Sequence, residues 1–188
     1  MQRVALLATG DEIVIGDIMN SNGQSMSQAL MDHGIHPGIH MTVPDDESQI
    51  EEAIRYLLER HDALITIGGL GPTSDDRTRF ALAKALDREL EFNEERWQRI
   101  IELLKSKGLD VPESNRQQCY FPSGATIIPN AFGTADACQI HHHEKMVFML
   151  PGPPRECLSI FNQTVLTELL KTPLKKTLYR LSWLVLGM

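Results

Sequence analysis

Cysteine, aromatic residues and positive charge are all scarce in this chain. Cys119, Cys138 and Cys157 are the three cysteines among 188 residues, and no two form a CxxC pair. Neither a disulfide framework nor a zinc site is suggested, and the three read as reduced thiols. Lys and Arg number 18 against 25 Asp and Glu, a formal net charge of −7. That balance argues against a general nucleic-acid surface, which gains its affinity by neutralising phosphates with clustered basic side chains. Aromatic residues make up 6%, and the two tryptophans, Trp97 and Trp183, read as packing residues. No apolar run approaches the roughly 20 residues of a membrane span. The opening MQRVALLATG holds about five apolar residues in a row, where a signal peptide needs about 7–15. A cytoplasmic protein that binds neither membrane nor nucleic acid is expected. Small ligands or a protein partner suit the composition better.

What is present is enough for one α/β domain, since 42% of the chain is hydrophobic. Apolar runs alternate with helical periodicity through the first half: strands at 3–8, 35–43 and 62–67, helices at 22–34, 46–60 and 75–86. This β-α-β-α-β-α order predicts a parallel sheet with helices on both faces and right-handed crossovers. Gly34 is placed to end the first helix, Asp45 or Asp46 to cap the second, and Ser74, Asp75 or Asp76 to open the third. A helix at 93–108 runs from Asn93 to Gly108. A short helix near 113–119, a short strand near 126–128 and a hairpin at 137–152 turning near His142 to Lys145 follow. Pro153 or Pro154 starts a helix that runs to 171. Residues 1–171 are taken as the domain. Residues 172–188 read as an apolar strand segment at 177–188, either cut short or leading into a further subdomain.

One stretch concentrates chemistry. GGLGPTSDD (68–76) follows the third strand with three glycines, a proline and two aspartates. Ligands of parallel sheets bind beyond the carboxyl ends of the strands, where TGDEIVIGD (9–17) and PDDE (44–47) also lie. Asp11, Glu12, Asp45, Asp75 and Asp76 are therefore expected to converge. Glycine N–H groups beside a helix start suit a phosphate. Carboxylates beside a phosphate call for a hard divalent cation between them. The bland reading of the same residues is a capped helix after an ordinary tight turn. The loop has neither the GxGxxG spacing nor the lysine of a P-loop.

The segments ATGDEIVIGDIMNSN (8–22), VPDDESQI (43–50) and GGLGPTSDDRT (68–78) resemble the molybdopterin-binding fold shared by MogA, MoaB and part of MoeA. VPESNRQQCYFPSGATIIPNAFGT (111–134) and MLPGPPRE (149–156) narrow the resemblance to the CinA family of competence/damage-inducible proteins. It implies a three-layer α/β/α sandwich, mostly parallel, with an antiparallel hairpin in the second half. It also implies Asp45 and Asp76 as catalytic, cation-holding carboxylates, with Gly68, Gly69, Gly71, Thr73 and Thr78 around the phosphate. Asp11, Asn22, Asn115, Arg116, Gly133 and Thr134 are the further ligand-binding positions, Arg116 pairing with a diphosphate. The implied activity is ADP-ribose pyrophosphatase, with Mg²⁺, Mn²⁺ or Co²⁺ and K⁺. The alternative is a non-catalytic molybdopterin- or nucleotide-binding module, or a vestigial scaffold. A nucleotide or pterin is the expected small-molecule partner, and a homodimer or trimer the expected assembly. Where this family usually has GTAPG the chain has GTADA (133–137), so Asp136 is expected to weaken diphosphate binding or to add a metal ligand. Where the family often has DTN, the chain has Asn20 in place of the acid.

Outside that region, HHHEK (141–145) reads as a solvated hairpin tip and His36 and His40 as edge residues of the second strand. Glu156 is read as a helix-capping carboxylate, with reach toward the cleft as the alternative.

Overall fold

The computed structural model describes residues 3–171. Strand β1 (Arg3–Thr9) is followed by a one-turn helix α1 (Asp11–Val14), then α2 (Ser21–Asp32), β2 (His36–Val43), α3 (Glu47–Arg60), β3 (Ala63–Ile67) and α4 (Thr78–Ala85). The second half runs β4 (Leu90–Phe92), α5 (Glu94–Ser106), a 3₁₀ helix (Glu113–Cys119), β5 (Tyr120–Pro122), β6 (Thr126–Ile128), β7 (Ala137–His142) and β8 (Lys145–Leu150). It closes with α6 (Pro154–Ile160), which passes through a π turn at Phe161–Val165 into α7 (Leu166–Lys171). The expected strand at 177–188 and Trp183 lie outside the described residues.

Six strands make one sheet in the order β2-β1-β3-β8-β7-β6, and β4 and β5 form a separate antiparallel pair. β2, β1, β3 and β8 run parallel, while β7 returns antiparallel to β8 and β6 to β7. This is the expected sandwich. Side chains alternate across a strand, so each face of β1 feeds a different core. Ala5 and Leu7 pack with Ile50, Ile54 and Leu57 of α3 and Leu82 of α4. Val4 and Leu6 pack with Met26 and Leu30 of α2 and with Phe148 and Phe161 on the other face.

Local signals account for the element ends. Gly34 takes φ 75°, and the N–H groups of Gly34 and Ile35 close onto the carbonyls of Met31 and Leu30, the Schellman pattern that a Cβ would strain. Asp46, not Asp45, caps α3 by accepting from Gln49 N–H at 2.9 Å. Asn93 caps α5 in the same way at Arg96. The expected opening of α4 on Ser74, Asp75 or Asp76 is corrected: the helix starts at Thr78 after Arg77, without a side-chain cap. β2 carries a bulge opposite Ala5, where His61 Nε2 accepts from Ile39 N–H at 3.1 Å. Among the described residues no helix is long and apolar enough to cross a membrane.

Replacing Leu7 by Ala in the centre of the sheet is expected to cost about 2–5 kcal/mol. Urea denaturation checks this, with the midpoint lowered and the slope unchanged.

Candidate functional site

The connection from β1 to β2 passes over one face through α2, and that from β2 to β3 over the other through α3. The chain therefore changes direction beside β1, and the loops leaving β1 and β3 part to open a crevice, as such switch points do. A cavity of about 700 Å³ lies there. Thr9 and Gly10 line it from β1, Gly68 to Thr73 from β3, and Gly133 to Ala135 with Pro151 to Pro154 from the second half.

The glycine loop is built from its own side chains. Asp76 Oδ1 accepts from Gly71 N–H at 2.7 Å, and Oδ2 accepts from Thr73 N–H at 2.9 Å and from Thr73 Oγ1 at 2.6 Å. Gln117 of the 3₁₀ helix donates to the carbonyls of Gly71 and Thr73 from the opposite side, at 2.8 and 2.6 Å. Beneath the loop the buried hydroxyls of Thr9 and Thr78 lie 2.8 Å apart. Gly69 rests on them with φ 64°, and a Cβ there would fall inside contact distance of Thr78 Oγ1. Three of the amides expected to face a phosphate are therefore used internally: Gly71 and Thr73 on Asp76, and Gly68 on the carbonyl of Leu150. The N–H groups of Gly69 and Leu70 are left without an acceptor among the described residues.

The carboxylates do gather. Glu12, Asp45, Asp75, Asp76 and Glu156 line the cavity, and Lys107 is the basic residue among its lining. Asp11 lies just behind, exchanging bonds with Asp45: Asp11 N–H donates to Asp45 Oδ2 and Asp45 N–H to Asp11 Oδ1, both at 3.2 Å. Burial raises the pKa of the half-buried Asp45, and the charges of Asp11, Glu12 and Asp76 push the same way against the bond from Asp11. Among the described residues no three His, Cys, Asp or Glu side chains are grouped to hold a metal ion.

The remaining expected positions divide. Asn22 lines the cavity and donates to Gly152 O at 2.8 Å, and Gly133 and Thr134 line it too. Thr78 supports the loop from below. Asn115 is buried against Gln118 at 3.0 Å. Arg116 stacks on Phe92, 4.5 Å from the ring centroid, and pairs with Glu113 at 3.2 Å. Neither Asn115 nor Arg116 lines the cavity. Asp136 is buried, accepts from Asn130 N–H at 2.7 Å and lies 3.4 Å from Arg99. It does not line the cavity, so the expected effect of the GTADA sequence on a ligand or metal has no basis there. Glu156 forms no cap and instead reaches the cavity, accepting from Asn130 Nδ2 at 2.6 Å.

A family model described as "Probable molybdopterin binding domain" matches residues 5–171. The chain belongs to this family. A competence-damage inducible protein of Alkaliphilus oremlandii is 39% identical over 169 residues, which are 90% of this chain and 41% of that protein. The chain thus spans about two fifths of the length of that relative. The crystal structure of CinA from Thermoplasma acidophilum, 28% identical, superposes with a TM-score of 0.80 over 88% of this chain and 97% of that one. The molybdopterin biosynthesis enzyme MoaB of Thermus thermophilus, 21% identical, shares the fold with a TM-score of 0.57 over 92% and 99%.

The expectation of ADP-ribose pyrophosphatase activity is overturned by these comparisons. The family that covers the domain is a molybdopterin-binding one, which fits the alternative, a binding module, instead. The loop agrees: Asp76 shapes the backbone by three hydrogen bonds, and the three N–H groups that it and Leu150 engage, those of Gly68, Gly71 and Thr73, were all among those expected to hold a diphosphate.

Sequence reasoning missed the apolar part of the wall. Ile18 and Met19, 56% and 81% exposed, line the cavity with Ile13 and with Leu103 of α5. The unusual run of apolar residues in a polar loop, IVIGDIM, was the available signal. Gln117, which clamps the loop, gave none beyond its place in the SNRQQ segment.

Gly69→Ala is expected to destabilise the protein by about 1–3 kcal/mol through backbone strain and displacement of Thr78, read as a lowered melting temperature. For Asp45 the folded pKa is raised, so the native state loses stability as pH rises through it. Asp45→Asn should therefore melt higher than wild type at pH 7, and the gain should vanish as pH falls below the ordinary value of 3.8.

Proposed function

We propose that the domain is a binding module for a small molecule joining a flat heteroaromatic ring to a phosphate, of the pterin or nucleotide class. The observation that carries this reading is the glycine loop: two N–H groups, at Gly69 and Leu70, that have no acceptor among the described residues, in a cavity at the switch point of a parallel sheet. The apolar side chains of Ile13, Ile18, Met19 and Leu103 suit the face of a ring, and the cavity volume suits a molecule of that size. The family description supports the same class.

A divalent cation, with K⁺ as a second ion, belongs to the proposal. Asp45 and Asp76 in one cavity are a donor set of the kind magnesium uses when it shares a ligand phosphate, one or two carboxylates with the rest of its shell from phosphate and water. Such an ion would offset the repulsion between the acidic wall and the phosphate. A homodimer or trimer is also proposed, on the exposed apolar residues Val14 and Ile15, which do not line the cavity. Sedimentation at micromolar concentration should show a species larger than the 21.2 kDa chain.

The test of binding is a melting experiment with AMP and with a phosphorylated pterin, each alone and with Mg²⁺. At a hundredfold excess over the dissociation constant a ligand adds about 2.7 kcal/mol to stability. Mg²⁺ alone is expected to move the midpoint little, and Mg²⁺ with ligand more than the two separate shifts together. If no combination moves it, the binding-module reading is wrong and the scaffold reading replaces it.

A further inference from the structure

Arg79 is fully buried on α4, directly behind the glycine loop. Its Nη2 reaches the carbonyls of Leu70 and Gln118 at 3.5 and 3.4 Å, which are weak bonds, and Nε and Nη1 have no partner among the described residues. No carboxylate lies within 4 Å of it among those residues. The thiols of Cys119 and Cys138 act on it, but burial pushes them up to about 11 and about 12, so they carry no charge at neutral pH. Burial lowers the guanidinium to about 10, which still leaves it charged. Asp76 is near enough to attract it, but that carboxylate is engaged by Gly71 and Thr73. An ion held in the interior without a partner is costly, and replacing it with an apolar side chain of similar size is often neutral or stabilising. Folding alone therefore does not explain it.

Both carbonyls that Arg79 touches belong to residues that line the cavity, Leu70 and Gln118. Its charge therefore lies against the inner side of the wall that carries the Gly69 and Leu70 amides. The field of a charge in a weakly screened interior extends through such a wall. The cavity's own surface is acidic, with five carboxylates against Lys107. We propose that Arg79 is a positioning residue, the buried countercharge that lets the glycine loop accept an anionic group of the ligand. This rests on the reading of the cavity as a site for a phosphate-bearing molecule.

The experiment compares wild type, Arg79→Met and Arg79→Lys, measuring melting without ligand and, by calorimetry, the binding of inorganic pyrophosphate and of uncharged adenosine. Arg79→Met is expected to melt no lower than wild type, to bind pyrophosphate weaker by about tenfold or more, and to bind adenosine within about twofold. Arg79→Lys, which keeps the charge, should retain most of the pyrophosphate affinity. Pyrophosphate binding by Arg79→Met equal to wild type overturns the role of Arg79 while the cavity reading stands. So does a Met variant that melts far lower, fails to fold, or loses both ligands equally, since Arg79 is then a clamp on two carbonyls. If wild type binds neither probe, the cavity reading fails and this proposal fails with it.

Discussion

A carboxylate inside a loop holds the site together. Asp76 receives the N–H groups of Gly71 and Thr73 and the Thr73 hydroxyl, so a segment rich in glycine, with little conformational preference of its own, is fixed in one shape. Hydrogen bonds to a charged acceptor are stronger than neutral ones, and three on one group outweigh the freedom the glycines would otherwise keep. The same turn of Asp76 toward the loop leaves α4 without a side-chain cap at its start. Arg77 then points the other way, to Glu47 in the first turn of α3, and ties the two helix starts together. The close approach of Gly69 to Thr78, and of Thr78 to Thr9, sets the depth at which the loop sits over β1.

How much of this could be read from residues depended on range. Strands β1 to β3 and helices α2, α3 and α5 have clear periodicity and caps that act within four residues, so their places were legible. Strands β4 and β5 are three residues each and α1 is a single turn, too short for a period to show. The glycine loop and the approach of Asp45 to Asp76 were legible because a parallel sheet brings successive strand ends to one edge whatever the details. The fates of Asn115, Arg116 and Asp136 were not. Arg116 had to choose between a cavity and the rings of Phe92 and Trp97, and that choice is made by how the 3₁₀ helix packs on α5. Asp136 is held by Asn130 and by Arg99, a residue more than thirty positions away that no local pattern links to it.

The distribution of charge around the cavity follows one logic. Five carboxylates and Lys107 stand on the open side, where water and ions screen them, and the charge of Arg79 is inside, where screening is weak. Asp136 shows the complementary arrangement: burial raises the pKa of this acid, and the bond from Asn130 N–H and the charges of Arg99 and Arg96 on α5 oppose that rise. Its role is to fix the 130–136 turn, whose Asn130 in turn holds Glu156 at the cavity edge.

The seam between β3 and β8 joins the two halves of the sheet, and its partners are far apart in the chain: Thr66 bonds to Phe148, 82 residues later. Closing a loop of that length carries a larger entropic cost than the pairing of β1 with β2, so the seam is expected to form later. On a ribosome adding 5–20 residues per second, β3 would wait roughly 4–16 s for its neighbour. All five of its residues are buried in the finished sheet. During that interval it is an apolar edge open to any other strand, and the nascent chain is at its most prone to aggregate.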